Sequence, residues 1–168
     1  SASTTVDGDE DDNSEIRSGA VYVFSRSGVD WSQQAYIKGS HSNSDDYFGA
    51  ALALSVDGNT LAVGAWREHG PEDVADSGAA YVFVRSGVQW TEQSFLRAGN
   101  PGLGNHFGAS VALAADGKTL AVGSPGESND GSGVNGSQNG GTLDRSGATY
   151  VFVRNGAEWA LQAFATAS

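Results

Sequence analysis

The same stretch of sequence occurs three times in this chain of 168 residues. The copies begin at Ser18, Ser77 and Ser146 and read SGAVYVFSRSGVDW, SGAAYVFVRSGVQW and SGATYVFVRNGAEW. A second stretch alternates with them, FGAALALSVDGNTLAVGA from Phe48 and FGASVALAADGKTLAVGS from Phe107. The copies lie 59 residues apart, except that the last copy of the first stretch follows after 69. A period of this size predicts a repeat architecture, in which each unit packs against its neighbours.

Each stretch reads as a pair of β-strands. In the first stretch, β-branched and aromatic residues lead up to Gly28, and a second such run follows with Trp31. Two runs separated by a glycine-containing turn are typical of a β-hairpin. The second stretch turns at Asp-Gly pairs that begin with Asp57 and Asp116, which also favour a hairpin. One repeat therefore predicts four antiparallel strands.

The faces of these strands indicate how the sheets are arranged. Val21 and Val23 point to one face while Tyr22 and Phe24 point to the other, so both faces are apolar. The strand at 51–54 alternates alanine and leucine, again apolar on both sides but smaller. Small residues suit strands near an axis, and aromatic residues suit the periphery. We predict an all-β fold made of β-propeller blades, each with four antiparallel strands.

The FGA motifs at Phe48 and Phe107 are each followed by a short strand, an Asp-Gly turn and LAVG. This pattern resembles the FG-GAP repeat, the blade motif of the integrin α-subunit head and of many secreted bacterial proteins. The later GES and SGATYVF elements resemble the bacterial branch. The resemblance implies a β-propeller in an extracellular or cell-surface protein, concerned with adhesion and often with calcium.

The repeat also predicts how the chain is divided. An acidic loop covers residues 1–17, an outer hairpin 18–40, a second blade 48–99 and a third blade 107–168, all within one propeller domain.

The first blade lacks its inner hairpin. Residues 6–20 align without a gap with residues 134–148, which join an inner hairpin to an outer one. Three outer hairpins therefore stand against two inner ones, about two and a half blades. Open blade faces expose apolar surface. We expect them to be covered by other blades, from the rest of a longer chain or from identical chains in a homo-oligomer.

Composition excludes several classes of partner. Acidic residues outnumber basic ones by 20 to 9, and the net charge of −11 argues against nucleic acid, whose phosphates need lysine and arginine. No apolar run approaches the roughly 18 residues of a membrane span. Cysteine is absent, so no disulfide or thiolate metal site is predicted. His41, His69 and His106 have no nucleophile at a motif spacing, and we predict that the protein is not an enzyme.

Calcium is the cofactor that the sequence suggests. Asp7, Asp9, Asp11 and Asn13 alternate in a short segment, and such spacing places oxygen ligands around one centre. We predict a calcium site there, with a solvated acidic tail as the alternative. The integrin-type site in the inner hairpin is not expected, because each of those turns keeps a single aspartate, as at Asp57.

Glu68 and Glu127 occupy matching positions after the inner hairpins. Either could add a ligand to a calcium site, and either could equally be a surface residue.

The tryptophans divide into two kinds. Trp31, Trp90 and Trp159 recur in every outer hairpin, which predicts core positions. Trp66 has no copy, since Pro125 takes its place in the next repeat. We predict that Trp66 is an exposed stacking platform for a ligand.

These features favour a non-enzymatic FG-GAP propeller module of a secreted or cell-surface protein, acting as an adhesion or protein-interaction scaffold. The alternative is a carbohydrate-binding, lectin-like propeller. The loops at 66–76 and 125–145 differ in length and composition, which argues against several equal sugar sites.

Overall fold

A computed structural model describes residues 6–11, 14–128, 131, 133–136 and 145–166. Over these residues the chain is all β apart from one 3-10 turn at Pro71–Asp73, which confirms the predicted fold class. No helix in these segments is long and apolar enough to cross a membrane.

The strands form three antiparallel sheets that follow one another along the chain. The first sheet contains β1 (Val21–Ser27) and β2 (Asp30–Ile37). The second contains β3 (Ala51–Leu54), β4 (Thr60–Ala65), β5 (Ala79–Ser86) and β6 (Gln89–Leu96), paired in that order. The third contains β7 (Ser110–Leu113), β8 (Thr119–Ser124), β10 (Ala148–Asn155) and β11 (Glu158–Thr166), with β9 (Gly133–Val134) on its outer edge. The second sheet is a four-stranded blade of the predicted kind, the third is such a blade with the short strand β9 added, and the first consists of an outer hairpin.

The inner hairpins turn at the predicted aspartates. The Asp57 carboxylate accepts a hydrogen bond from the backbone N–H of Asn59 at 3.0 Å, and Asp116 does the same for Lys118 at 3.0 Å. The following Gly58 has a φ of +67°, a conformation that glycine adopts without strain. Asp57 and Asp116 are therefore turn residues, as the sequence predicted.

Two apolar clusters hold the sheets face to face. The cluster between the first and second sheets includes Val21, Ile37, Phe48, Tyr81 and Phe83. The cluster between the second and third sheets includes Val82, Leu96, Phe107, Tyr150 and Phe152. Each phenylalanine of an FGA motif thus lies between two blades.

A backbone contact accompanies each of these clusters. Gly78 forms a parallel β-bridge with Phe107, whose N–H donates to the carbonyl of Ser77 at 2.9 Å. The same bridge joins Gly19 to Phe48. A Cβ atom on Gly78 would lie 2.1 Å from the Phe107 carbonyl oxygen, and one on Gly19 would lie 2.0 Å from that of Phe48. We call Gly19, Gly78 and the aligned Gly147 the junction glycines.

Apolar residues on both faces predict that the first strand of each outer hairpin is sandwiched between neighbours, which holds for β5 but is wrong for β1. Tyr81 and Phe83 are fully buried, whereas the aligned Tyr22 and Phe24 are 47% and 52% exposed. The reason is that no described sheet covers that face of β1. Leu52 in β3 is exposed for the same reason, because the first sheet has no inner hairpin beside it.

Candidate functional site

Trp66 lies in an aromatic cluster at one end of the sheets. Its ring is 5.4 Å from that of Tyr47, at an angle of 44°, and 4.8 Å from that of His106, edge to face at 85°. All three side chains are half-buried. Tyr47 and His106 occupy matching positions in successive repeats, directly before each FGA motif. Trp66 therefore spans the junction between the second and third blades.

The backbone around this cluster is held by the sheets. Pairing of Ala51 with Gly64, and of Ala65 with Ala79, brings the start of β3, the end of β4 and the start of β5 to the same end of the blade. The segments before β3 and after β4 carry the aromatic side chains, so the rigid sheet fixes where those side chains stand.

Arg67 adds a charge to the cluster. Its Nε donates to Oδ1 of Asp76 at 3.0 Å and its Nη2 to Oδ2 at 3.4 Å. The guanidinium lies 5.7 Å from the ring centre of Tyr47 and 5.6 Å from that of Trp66, within the range of cation–π contacts. The hydrogen bond and charge of Asp76 raise the pKa of Arg67. We call Tyr47, Trp66, Arg67, Asp76 and His106 the rim cluster.

The rim cluster carries no net charge at neutral pH. Burial lowers the pKa of His106, so its ring is neutral at pH 7. The charge of Arg67 is balanced by Asp76. In a chain with a net charge of −11, this cluster is a neutral aromatic surface. Its chemistry is stacking and hydrogen bonding, which suits recognition of a partner.

A buried carboxylate follows directly after the rim cluster. Glu68 is 1% exposed and accepts hydrogen bonds from the Tyr81 hydroxyl at 2.6 Å and from Nη2 of Arg97 at 2.8 Å. Burial outweighs these two bonds and raises the pKa of Glu68 to about 7. Arg97 also donates to the carbonyl of His69 at 2.7 Å. The Glu68 carboxylate thus links the segment after β4 to β5, through Tyr81, and to the segment after β6, through Arg97.

The matching carboxylate of the third blade is held by amide and hydroxyl donors. Glu127 is fully buried and accepts hydrogen bonds from Asn100 at 2.8 Å, Asn105 at 3.0 Å and the Ser124 hydroxyl at 3.2 Å. Burial raises its pKa. Neither this residue nor Glu68 is a surface residue. Through Arg97, Glu68 joins the second blade to the linker that follows it. Through Asn100 and Asn105, Glu127 joins the third blade to the same linker, which precedes that blade.

Asp7 binds the edge of the first sheet. Its N–H donates to the carbonyl of Tyr36 at 2.7 Å, and its Oδ1 accepts the N–H of Tyr36 at 2.9 Å. Asn135, aligned with Asp7, makes the same pair of bonds with Phe164, at 2.6 Å and 3.0 Å. We call this two-bond contact the edge clasp. Asp7, the first of the residues predicted to bind calcium, therefore has a structural role.

Of the remaining predicted calcium ligands, Asp9 and Asp11 lie within the described residues. Oδ1 of Asp9 accepts the N–H of Asp11 at 3.0 Å, and Asn13 lies outside the described residues. Over the part of the chain that the structure covers, no group of three or more His, Cys, Asp or Glu side chains could hold a metal ion. Because Asn13 lies outside the described residues, the calcium site stays a prediction.

Of the repeated tryptophans, Trp90 is a core residue and Trp159 packs against the core. Trp90 is 3% exposed, and its Nε1 donates to Oε1 of Gln34 in the preceding sheet at 3.1 Å. Trp159 is half-buried and bonds Gln93 in the same way, also at 3.1 Å. Trp31 is 67% exposed, so the core prediction is wrong for this copy. Its sheet has no described neighbour on that side.

Sequence reasoning singled out Trp66 but missed its surroundings. The signal was present in the two ring residues at matching positions before the FGA motifs, Tyr47 and His106. Arg67 and Asp76 gave no such signal, because their pairing depends on how the loop between β4 and β5 folds back.

Comparison with known proteins agrees with this architecture. The model of the FG-GAP repeat matches at residues 31–83 and 90–152, which together cover more than half of the chain. Each match begins in the second strand of one outer hairpin and ends in the outer hairpin of the next blade. No curated protein matches the chain.

Proposed function

Because the chain belongs to the FG-GAP repeat family, we propose that it is a non-enzymatic β-propeller module that binds a protein partner through the rim cluster. We further propose that this binding serves adhesion by a secreted or cell-surface protein. The observation that carries the proposal is the position of Trp66, an unrepeated aromatic residue at the junction of two blades.

The composition of the rim cluster supports protein binding. Tryptophan, tyrosine and arginine are the residues that most often dominate the energy of protein interfaces. Here all three types are in contact, and Arg67 is already oriented by Asp76 and by two rings. Side chains held in this way lose little conformational entropy when a partner binds.

A lectin is the second candidate, and one observation favours it. Trp66 lies beside the Arg67–Asp76 pair, and a ring next to paired polar groups can stack on a sugar and bond its hydroxyls. The third blade has Pro125 at the matching position, so this platform is a single site.

Arrays of extracellular proteins and glycans test the two candidates. The wild type and Trp66→Ala are compared with Val56→Ala, which removes an exposed apolar side chain from the inner hairpin turn at the other end of the blade. We expect binding to a protein, weakened about tenfold or more by Trp66→Ala and unchanged by Val56→Ala. Binding to glycans alone would support the lectin. A partner whose binding affinity is unchanged by Trp66→Ala would refute the rim cluster as the binding site.

A further inference from the structure

The outer edge of the second blade lacks a contact that the other two sheets have. The edge clasp joins Asp7 to Tyr36 in the first sheet and Asn135 to Phe164 in the third. Phe95 is the matching residue of β6, the edge strand of the second blade, and no described residue makes a clasp with it. Phe95 is half-buried, whereas Tyr36 and Phe164 are 3% and 2% exposed.

A shorter loop accounts for the missing clasp. In the first and third repeats, the clasp residue stands eleven positions before the serine of the Ser-Gly-Ala motif, whereas Trp66 stands there in the second. The loop before Ser77 is ten residues shorter than the loop before Ser146, as the spacings of 59 and 69 require. Trp66 directly follows β4, which β5 separates from β6. No residue of the loop at 66–76 pairs with β6.

The backbone N–H and carbonyl of Phe95 point outward from the blade. In β5, the N–H of Arg85 donates to the carbonyl of Asn59 on the β4 side, at 2.8 Å. Because the bonding direction alternates along a strand, Tyr81 also bonds toward β4. Phe95 lies opposite Tyr81 in the pairing of β5 with β6, so its own N–H and carbonyl face away from β5. An edge of this kind is a place where an extended peptide can add a strand.

The two natural clasps define what fits this edge. Both use a valine followed by an aspartate or asparagine and then a glycine, Val6-Asp7-Gly8 and Val134-Asn135-Gly136. The middle residue donates its N–H to the strand carbonyl and accepts the strand N–H with a side-chain oxygen. It has a φ of +54° in the first clasp and +56° in the second, a conformation in which aspartate and asparagine are enriched. An occupant must therefore offer an aspartate or asparagine in an extended segment.

We propose that the edge of β6 at Phe95 binds an extended segment of a partner protein, whose aspartate or asparagine makes the clasp that the second repeat lacks. A second copy of this chain is not the occupant, because its Val6-Asp7 and Val134-Asn135 segments already clasp their own sheets. The site shares no residue with the rim cluster, so its failure and that of the proposed function are distinguishable.

A peptide titration tests this edge on the full chain. The probe is a synthetic peptide with the sequence of residues 131–136, GSGVNG, and its control is the same peptide carrying Asn135→Ala. Backbone amide signals of the ¹⁵N-labelled chain are followed by NMR. The Phe95 signal should shift and saturate, while those of Tyr36 and Phe164 should not move. The control peptide should bind about fivefold more weakly, since one hydrogen bond contributes about 1 kcal/mol.

A loop exchange supplies the matched variant. Replacing residues 69–76 with a copy of residues 128–145 gives the second blade a loop that carries its own clasp asparagine. In this variant the Phe95 N–H should exchange slowly with solvent, as that of Phe164 does, and the peptide should leave its signal unchanged.

Three results would overturn the proposal. They are a Phe95 signal that does not shift at millimolar peptide, equal affinities for the two peptides, and equal shifts in the wild type and the loop-exchange variant. A dimer of the peptide-free chain in which the Phe95 N–H is protected from exchange would also overturn it, in favour of a second copy as occupant.

Discussion

Glu68 gives the most quantitative prediction, because a buried carboxylate ties stability to pH. Burial raises its pKa from 4.5, its ordinary value, to about 7. A raised carboxyl pKa means that the folded protein holds the proton more tightly than the unfolded chain does. The contribution of Glu68 to stability is therefore complete below pH 4.5, falls as the pH rises, and is lost above pH 7.

The size of this effect follows from the pKa difference. A difference of about 2.5 pH units, at 1.36 kcal/mol per unit, corresponds to about 3 kcal/mol of unfolding free energy. Glu68→Gln removes the titration and keeps an oxygen that can accept from Tyr81 or Arg97. The stability of the variant relative to the wild type should therefore rise by about 3 kcal/mol between pH 4.5 and pH 8.

Urea unfolding followed by tryptophan fluorescence, at half-unit steps of pH, measures this difference. Glu158→Gln is the control, because Glu158 is exposed at the start of β11 and the curve of this variant should parallel that of the wild type. If the free-energy difference between Glu68→Gln and the wild type stays constant from pH 4.5 to 8, burial does not govern Glu68. The ion pair with Arg97 would then keep it charged throughout.

Three further outcomes are expected. Trp90→Phe keeps an aromatic ring but loses the hydrogen bond to Gln34, so urea unfolding should show an unfolding free energy lower by about 1 kcal/mol. Trp31→Phe, at an exposed position, should change the unfolding free energy little. Equal losses in the two variants would contradict a specific role for the hydrogen bond. Asp7→Ala should lower the melting midpoint by breaking the edge clasp, while Asp7→Asn should not, as the natural asparagine in the third blade indicates. In the same assay, millimolar calcium should raise the midpoint of the wild type but not of Asp9→Asn, and no rise in the wild type would remove the predicted calcium site.

The fold could be predicted because its signals are local and repeated. The β-branched and aromatic runs, and the Asp-Gly turns at Asp57 and Asp116, lie in the strands and turns where they were expected. The alignment of Asp7 with Asn135 also proved structural, since both residues form the edge clasp. In each case a few neighbouring residues determine the strand, turn or edge contact. Because the same residues recur in several repeats, the prediction does not rest on a single copy.

The candidate site was harder to predict because it depends on contacts between repeats. From the sequence, Glu68 resembles a surface residue or a ligand, because only the fold brings Tyr81 of β5 and Arg97, just after β6, against it. Trp31 and Trp90 occupy matching positions, yet their burial differs because, among the described residues, only Trp90 has a sheet packed on that side. A repeat pattern predicts what each position does inside an array, but it does not say which positions face an open end.

The junction glycines bear on how such a gene changes length. Phe107 meets Gly78 through backbone atoms, and the same geometry joins Phe48 to Gly19. This contact joins main-chain atoms to a glycine that has no side chain, so it does not depend on which blade lies on either side. Unequal recombination can therefore insert or delete a whole unit and keep this backbone contact intact. Selection on the loops at 66–76 and 125–145 can then proceed separately in each unit.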